Sequence, residues 1–413
     1  MSRIVFDWFQ WGLALLCCFV SIIIVNNKAE LIIFMLCSFG LFVTYALAHK
    51  GKIKIRLTVY HWHILAICAF CYLSSSWAIL SARQSIGKGN TLLEVFIMMS
   101  AVFLFADTNK NPVNSLLKIV MWAGFLAVIY IIANYGFITV IELLLRGTRF
   151  DNELLNANTI GMMSAYSLLI TVYFILYEGF HLWNVMMIPS AIILVVSVSR
   201  KAFLILIIGS FLLIILKDYD NKRLLMNFFR VIFILASGAL ILFLLSKLPV
   251  FEYAATRLQN MIDALKGGQN ADSSALTRLR LINLGMNIFK EHPVRGIGMD
   301  NAGLFVAGLF YKDYYYLHNN YVELLADGGI IGFCLYYAIY IKLIFTFIKY
   351  RNIGNREYNI ALILLLIVLI MGYGEVSYLS KENYFLLMII YFTAEHLRNS
   401  QKQRYGLLNE VRL

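Results

Sequence analysis

A single histidine stands just ahead of an apolar run in the stretch LHNNYVELLADGGIIGF, residues 317–333. Imidazole titrates near neutrality, so His318 could take a proton from an attacking hydroxyl group. The alternative is a structural role, because perturbed or isolated histidines also serve packing. The spacing of Asn320 and Glu323 predicts a capping box, and a helix should therefore begin near Asn320. Asn319 and Glu323 are the candidate supporting residues.

Four arginines outside the basic loops could bind an anion. Arg200 stands in the turn Ser-Arg-Lys between two apolar segments, where it either anchors a span at the interface or binds phosphate through its planar guanidinium. Arg149 lies in a polar loop, and a solvated salt bridge is the alternative there. Arg278 and Arg280 occupy an amphipathic stretch, where lipid headgroups and a substrate are both plausible ligands.

Several catalytic motifs are absent from the sequence. It contains no H-E-x-x-H or similar metal spacing and no G-x-x-x-x-G-K-[ST] loop for a nucleotide. We therefore expect neither a metal nor a cofactor. Arginines near one histidine suit a substrate with a diphosphate and a hydroxyl nucleophile: the arginines would stabilise the leaving diphosphate, and His318 would deprotonate or orient the hydroxyl.

The composition places these residues in a membrane protein. Hydrophobic residues make up 61% of the 413-residue chain and charged residues only 14%, against about a quarter in soluble domains. Apolar stretches of about 20 residues fit helices rather than barrel strands. The net charge of +12 is better explained by basic loops flanking spans than by nucleic-acid binding, and we expect no nucleic-acid partner.

The apolar segments predict an all-α protein with about twelve membrane-spanning helices. They cover residues 9–26, 30–48, 59–80, 91–107, 116–135, 157–177, 184–199, 201–217, 231–248, 329–349, 359–375 and 382–397. With the N-terminus inside, the loops rich in Lys and Arg all fall on the cytoplasmic side. Both termini are then cytoplasmic, and His318 and the four arginines face the outside.

The chain divides into three predicted parts. Residues 1–248 form an N-terminal bundle of about nine spans, 249–328 a large extracytoplasmic loop, and 329–413 a C-terminal group of about three spans with a cytoplasmic tail. Within the loop, Leu279, Ile282, Met286 and Phe289 have helical spacing and predict an amphipathic helix on the outer membrane surface. Pro293 should end that helix, and Gly328-Gly329 should interrupt the next one.

Four stretches resemble the O-antigen ligase and Wzy-type polysaccharide polymerase superfamily. They are Arg149-Phe150 followed by Asn156-Ala-Asn158; Ser199-Arg200; Arg278 with Phe289-Lys-Glu-His292-Pro293-Val-Arg-Gly296-Ile-Gly298; and His318-Asn319-Asn320-Tyr321 through Gly328-Gly329-Ile330-Ile331-Gly332. The likeness covers about residues 140–335. The third and fourth stretches, together on one long loop, carry most of it.

The resemblance implies a GT-C-like membrane glycosyltransferase in the bacterial cytoplasmic membrane. Such an enzyme transfers a glycan from undecaprenyl diphosphate to an acceptor hydroxyl, without metal and with inversion at the anomeric carbon. The matching positions imply that Arg200 and Arg278 bind the diphosphate, with Arg149 a further candidate, and that His318 serves the acceptor. Arg280 has no counterpart and is only a supporting candidate. Implied partners are the glycan donor, a glycan or lipid A-core acceptor, the bilayer, a flippase and a chain-length regulator.

Three functional alternatives remain. A polymerase of O-antigen, capsule or exopolysaccharide is preferred over an O-antigen ligase, because ligation to lipid A-core is confined to Gram-negative envelopes. A transporter or lipid-linked oligosaccharide flippase would also fit many spans. Transporters, however, bind near the bilayer midplane and often show a repeated plan, whereas here the candidate charges gather at the outer face and the sequence shows no repeat.

Overall fold

The computed structural model describes residues 3–23, 28–51, 56–146, 157–217, 273–310, 315–353 and 355–410. These residues are helical, with short connections, as the composition predicts. The helices are α1 (Arg3–Ile23), α2 (Lys28–Ala48), α3 (Val59–Ser74), α4 (Ala82–Asp107), α5 (Pro112–Tyr135), α6 (Phe137–Arg146), α7 (Ala157–Glu178), α8 (Ile188–Ser197), α9 (Arg200–Lys217), α10 (Ser273–Glu291), α11 (Asn301–Phe310), α12 (Asn320–Lys349), α13 (Arg356–Met371) and α14 (Lys381–Glu410). Short 3-10 helices cover Leu182–Met187 and Arg351–Ile353.

Within the described chain, four helices are long and apolar enough to cross a membrane: α4, α5, α7 and α12. Shorter apolar helices cover Phe6–Ile22, Ile32–Ala48, Val59–Ser74 and Leu182–Ser197. The predicted total of about twelve spans stays a prediction, because segment 231–248 lies outside the described residues. The same holds for residues 249–272 of the predicted loop.

In the described part of the chain, prolines mark helix boundaries rather than kinks. Pro112 is the first residue of α5, and Pro189 lies in the first turn of α8. The missing N–H of proline costs nothing at these positions, because the first N–H groups of a helix have no partner within it. Pro293 follows the end of α10, as predicted.

The predicted amphipathic helix exists as α10, and the predicted apolar residues Ile282 and Met286 pack, partly buried, against a small core. Its most buried residues, however, were not among those predicted. Leu281 and Ile288 are buried, and a side chain at Gly285 would collide with the next segment at Leu317. Leu279, predicted to be on the apolar face, is 43% exposed. The helix therefore packs its 281–285–288 stripe against the protein, in a small core with α11 and the first turns of α12.

Successive helices place their connections at two ends of the bundle, and one of these ends carries His318. At this end the α3–α4 connection docks on the segment between α10 and α11: Ile79 N–H donates to the Ile297 carbonyl at 3.0 Å. The side-chain oxygen of Asn301 accepts from the N–H groups of Leu80 and Ser81 at 3.1 and 2.8 Å. The described part of the predicted loop is thus fastened to the N-terminal bundle.

The opposite end is joined by different polar contacts. Arg356 at the start of α13 pairs with Glu178 at the end of α7, at 2.9 Å. Asn359 donates to the Tyr177 hydroxyl at 2.8 Å and to the Leu216 carbonyl at 3.1 Å. These contacts hold the ends of α7, α9 and α13 together, far along the helices from His318.

Candidate active site at the His318 end of the bundle

The two sequence stretches that flank the site clasp each other through their backbones. Segment 293–298 follows α10, and segment 326–331 lies within α12. The bonds run from Ile297 N–H to the Ala326 carbonyl, from Gly298 to Asp327, from Ile330 to Pro293 and from Ile331 to Val294, at 3.1, 2.9, 2.9 and 3.2 Å. Two motifs that are separate in the sequence therefore form one structural unit.

Glycines make this clasp possible. Gly296 has a φ of 65°, and a Cβ there would lie 2.3 Å from the backbone of Asp327. Gly329 has a φ of 58°, and a Cβ there would lie 2.4 Å from the backbone of Val294. No other residue type fits both the left-handed backbone and the close approach. Gly329 also breaks α12, with a non-helical φ and ψ of 58° and −162°, which confirms the predicted interruption.

Asn319 and Glu323 hold the backbone on both sides of His318, the first residue of the HNN motif (residues 318–320). Asn319 is the N-cap of α12, and its side chain accepts from the N–H groups of Tyr321 and Val322 at 3.0 and 3.1 Å. The helix begins at Asn320, as predicted, but the predicted capping box is wrong. The cap is Asn319, and Glu323 reaches back past it to accept from the Leu317 N–H at 2.7 Å.

His318 itself has a left-handed backbone, with a φ of 58°. A non-glycine residue in this region is uncommon, and such strain gathers at functional sites. The caps on either side maintain it: Glu323 fixes residue 317 and Asn319 fixes the start of α12. The two predicted supporting residues therefore act on the backbone and aim the imidazole.

Two tyrosines and two cations surround the imidazole. The ring centroids of Tyr315 and Tyr316 lie 5.8 and 4.2 Å from that of His318. Burial, followed by the positive charges of Arg278 and Lys201, lowers the pKa of His318 from 6.5 to about 4. The imidazole is therefore neutral at physiological pH. A neutral ring has a free lone pair that can accept a hydrogen bond from a hydroxyl group.

The predicted arginines have different environments. Arg278, on α10, is half-buried and acts on both His318 and Tyr316: it lowers the pKa of Tyr316, which burial raises. Arg280 is exposed and lies about 200° further round the helix. Arg200 begins α9 and is half-buried. Arg149 lies outside the described residues.

Two charged residues of this end, Lys201 and Glu375, were not among the predicted site residues. Lys201 pairs with Glu375 at 3.1 Å, and Glu375 stands in the α13–α14 connection, residues 372–380. Asn320 fastens that connection to α12. Its side-chain oxygen accepts from the N–H groups of Ser377 and Tyr378, both at 2.9 Å. A lone acid in the stretch GYGE at 372–375 was the available signal for Glu375.

Two buried acids, Asp327 and Asp300, connect the clasp to neighbouring helices. Asp327 accepts from the Ala302 N–H at 2.7 Å and so caps α11. Asp300 pairs with Lys88 of α4 at 3.3 Å. In the part of the chain that the structure describes, no three His, Cys, Asp or Glu side chains come together in a group that could hold a metal ion. By their contacts, Asp327 caps α11 and Asp300 ties α11's first turn to α4.

A cavity of about 1660 Å³ opens at the opposite end of the bundle. Its lining includes the tryptophans Trp8, Trp11, Trp122 and Trp183. None of the predicted site residues lines it. The candidate site around His318 is therefore separate from this cavity.

Comparison with known families matches this part of the chain. Residues 185–337 match a family model described as O-antigen ligase. The match spans the Ser-Arg turn, α10, the clasp and the HNN motif, and it confirms the resemblance drawn from those residues. Comparison with curated proteins gives no significant match.

Proposed function

We propose that this chain, whose residues 185–337 match a family model described as O-antigen ligase, transfers a glycan from undecaprenyl diphosphate to an acceptor hydroxyl. The family is one of membrane enzymes that act on lipid-linked glycans. The observation that carries the proposal is the neutral, aimed imidazole of His318 beside the cations Arg278 and Lys201. The cations can stabilise an anionic leaving group, and the neutral imidazole can accept a proton from a hydroxyl nucleophile.

The proposed step is a single displacement at the anomeric carbon. The acceptor oxygen forms a bond to that carbon while the bond to the diphosphate oxygen breaks, and the electron pair leaves with the diphosphate. His318 holds the acceptor hydroxyl and takes its proton. Arg278, with Arg200 and Arg149 as the further candidates, stabilises the charge on the leaving diphosphate. The displacement inverts the anomeric configuration and needs no metal.

Substrate binding should strengthen His318 as a base. In the free protein Arg278 and Lys201 lower the pKa of His318. A bound diphosphate neutralises their charge and moves that pKa back up. The residue would then be the stronger proton acceptor only when the donor is in place, which limits wasteful transfer to water.

The favoured acceptor is a second lipid-linked repeat unit, which makes the protein a polymerase of surface polysaccharide. A ligase acting on lipid A-core is the second candidate, because both reactions use the same site chemistry. The site would face outward from the bacterial cytoplasmic membrane, with both termini cytoplasmic, because the basic loops lie at the opposite end of the predicted spans. A flippase would deliver the donor, and a chain-length regulator would act on the product.

The test is transfer by the purified protein in detergent or proteoliposomes. An undecaprenyl-diphosphate-linked repeat unit is supplied, and chain growth and the released carrier diphosphate are measured. Growth with repeat units alone supports the polymerase. Transfer that begins only when lipid A-core is added supports the ligase instead. Uptake of the lipid-linked glycan without any new glycosidic bond would overturn the enzyme and favour the transporter.

His318→Ala tests the role of the imidazole. We expect a loss of transfer of about 100-fold or more, with normal insertion and melting. His181→Ala is the matched control, because His181 lies by Trp183 next to the end of α7, away from the site. Near-normal turnover in His318→Ala would remove the base assignment.

A further inference from the structure

The ion pair between Lys201 and Glu375 lies within the candidate site, but neither residue was among the predicted site residues. Lys201 is the second residue of α9, and its Nζ is 3.1 Å from Glu375 Oε2. Both side chains are largely buried, 16% and 20% exposed. Screening by solvent is therefore weaker than for a surface pair.

The two partners differ in how firmly they are held. Glu375 belongs to the 372–380 connection, which Asn320 binds through the N–H groups of residues 377 and 378. The Asn320 N–H also donates to the Gly372 carbonyl at 2.8 Å. Lys201 is a flexible chain lying against Gly374, where an added Cβ would come within 3.2 Å of its Cε. The carboxylate is the fixed partner, and the ammonium is the one that can move.

Both charges act on the residues at the centre of the site. Lys201 is one of the two cations that influence His318, and Glu375 and Arg278 both influence Tyr316. Lys201, Arg278, Glu375 and the His318 ring therefore lie around one space. Two cations that face the same space repel each other, and Glu375 offsets that repulsion while no anion is bound.

We propose that Lys201 is a further diphosphate-binding residue and that Glu375 is its counter-ion in the substrate-free protein. Binding of the substrate diphosphate moves the Lys201 ammonium from the carboxylate to a phosphate oxygen. The inference rests on the proposed function for the identity of the anion. It assigns a binding role to the 372–380 connection, which lies beyond the family match at 185–337.

The exchange sets the strength of diphosphate binding. A phosphate oxygen must compete with Glu375 for the ammonium, so the pair weakens binding of any single phosphate. A diphosphate that also reaches Arg278 gains a second charge-assisted hydrogen bond, and it can therefore displace Glu375 from the Lys201 ammonium. The released product, undecaprenyl diphosphate, is held less tightly than it would be by an unopposed pair of cations, which favours turnover.

The experiment measures binding of inorganic diphosphate to the full-length protein in detergent by titration calorimetry. Lys201→Gln, Glu375→Gln and the double variant are compared, since glutamine preserves the size of Glu and most of the length of Lys. We expect Lys201→Gln to weaken binding about tenfold, which corresponds to about 1.4 kcal/mol. Glu375→Gln should tighten binding by a similar factor, and in the double variant this gain should vanish.

A matched control pair stands at the opposite end of the bundle. Arg356 and Glu178 join two helices at 2.9 Å, and Arg356→Gln and Glu178→Gln should leave diphosphate binding unchanged. If Lys201 and Glu375 only fasten the connection to α9, both of their variants would lower the melting temperature without changing binding, as in the control pair. The inference would be overturned by lower melting with unchanged binding in both variants. It would also be overturned by weaker binding in Glu375→Gln, or by no binding to the wild-type protein.

The two proposals fail separately. Diphosphate binding that responds to Lys201 and Glu375 as expected, in a protein that transfers no glycan, overturns the glycosyltransferase alone. Glycan transfer by the wild-type protein, together with diphosphate binding that neither substitution alters, overturns the counter-ion exchange alone.

Discussion

Asn320→Ala should loosen the connection that carries Glu375. The Asn320 side chain makes three hydrogen bonds, accepting from the N–H groups of Ser377 and Tyr378 and donating to the Tyr337 hydroxyl, all at 2.9 Å. At about 1 kcal/mol each they contribute about 3 kcal/mol. The substitution also leaves two buried N–H groups without this acceptor, so the loss should reach about 3–5 kcal/mol. That is a large part of a typical unfolding free energy of about 5–15 kcal/mol.

The assay combines thermal melting in detergent with glycan transfer. We expect a melting temperature lower by about 5–10 °C, faster proteolysis within 372–380, and reduced transfer even below the melting transition. Asn359→Ala is the control: it removes two hydrogen bonds at the opposite end, to Tyr177 and Leu216. It should destabilise by about 2 kcal/mol and leave transfer intact. Asn320→Ala with wild-type melting, or equal losses of transfer in both variants, would refute the reasoning.

Three further predictions concern the clasp and the imidazole. Gly296→Ala should prevent folding or lower the melting temperature sharply, because its Cβ would lie 2.3 Å from the Asp327 backbone; a melting curve like that of the wild type would contradict the clasp. The kcat/KM for transfer should be flat at neutral pH and fall only as the pH drops through about 4, the pKa of His318. Arg278→Gln removes a charge that lowers this pKa, so the acidic limb of the pH profile should move to higher pH. A limb that does not move would show that Arg278 lies too far from the imidazole to act on it.

The lowered pKa of His318 should also make the folded protein less stable in acid. His318 is neutral in the folded protein well below its ordinary pKa of 6.5. The unfolded chain therefore binds more protons between pH 6.5 and about 4. The stabilisation of the folded protein by the neutral ring is fully present above the ordinary pKa of 6.5 and is lost as the pH falls through this window. A His318→Ala variant should show a shallower acid dependence of melting.

Hydropathy and local rules predicted the helices and several of their ends. Helix α12 begins at Asn320 and breaks at Gly329, as the Asn and Gly-Gly signals indicated. Helix α4 begins at Ala82, nine residues before the predicted 91, because the polar stretch ARQSIGKGN continues the helix beyond the apolar run. An apolar window cannot detect such an extension.

The site was only partly predictable, for a physical reason. His318 and Arg278 could be proposed as site residues because their residue types stand out near motifs with turn and cap signals. Lys201 and Glu375 are 174 positions apart in the sequence, and only the packing of α9 against the 372–380 connection brings them together. The most buried residues of α10, Leu281 and Ile288, were not predicted for the same reason: the face that is buried depends on Leu317, a residue of the next segment.

The break at Gly329 also divides α12 by depth. Residues 330–349 form 20 residues of continuous helix, about 30 Å long, which equals the thickness of a bilayer hydrocarbon core. If these 20 residues cross the hydrocarbon core, the turns from Asn320 to Gly328 lie in the headgroup and water layers, with His318 beyond them. A substrate with a polyprenyl tail in hydrocarbon and sugars in water would straddle this break. In the proposed orientation, the break at Gly329 would set the depth of the reacting bond, at a level that an acceptor can reach from the aqueous side.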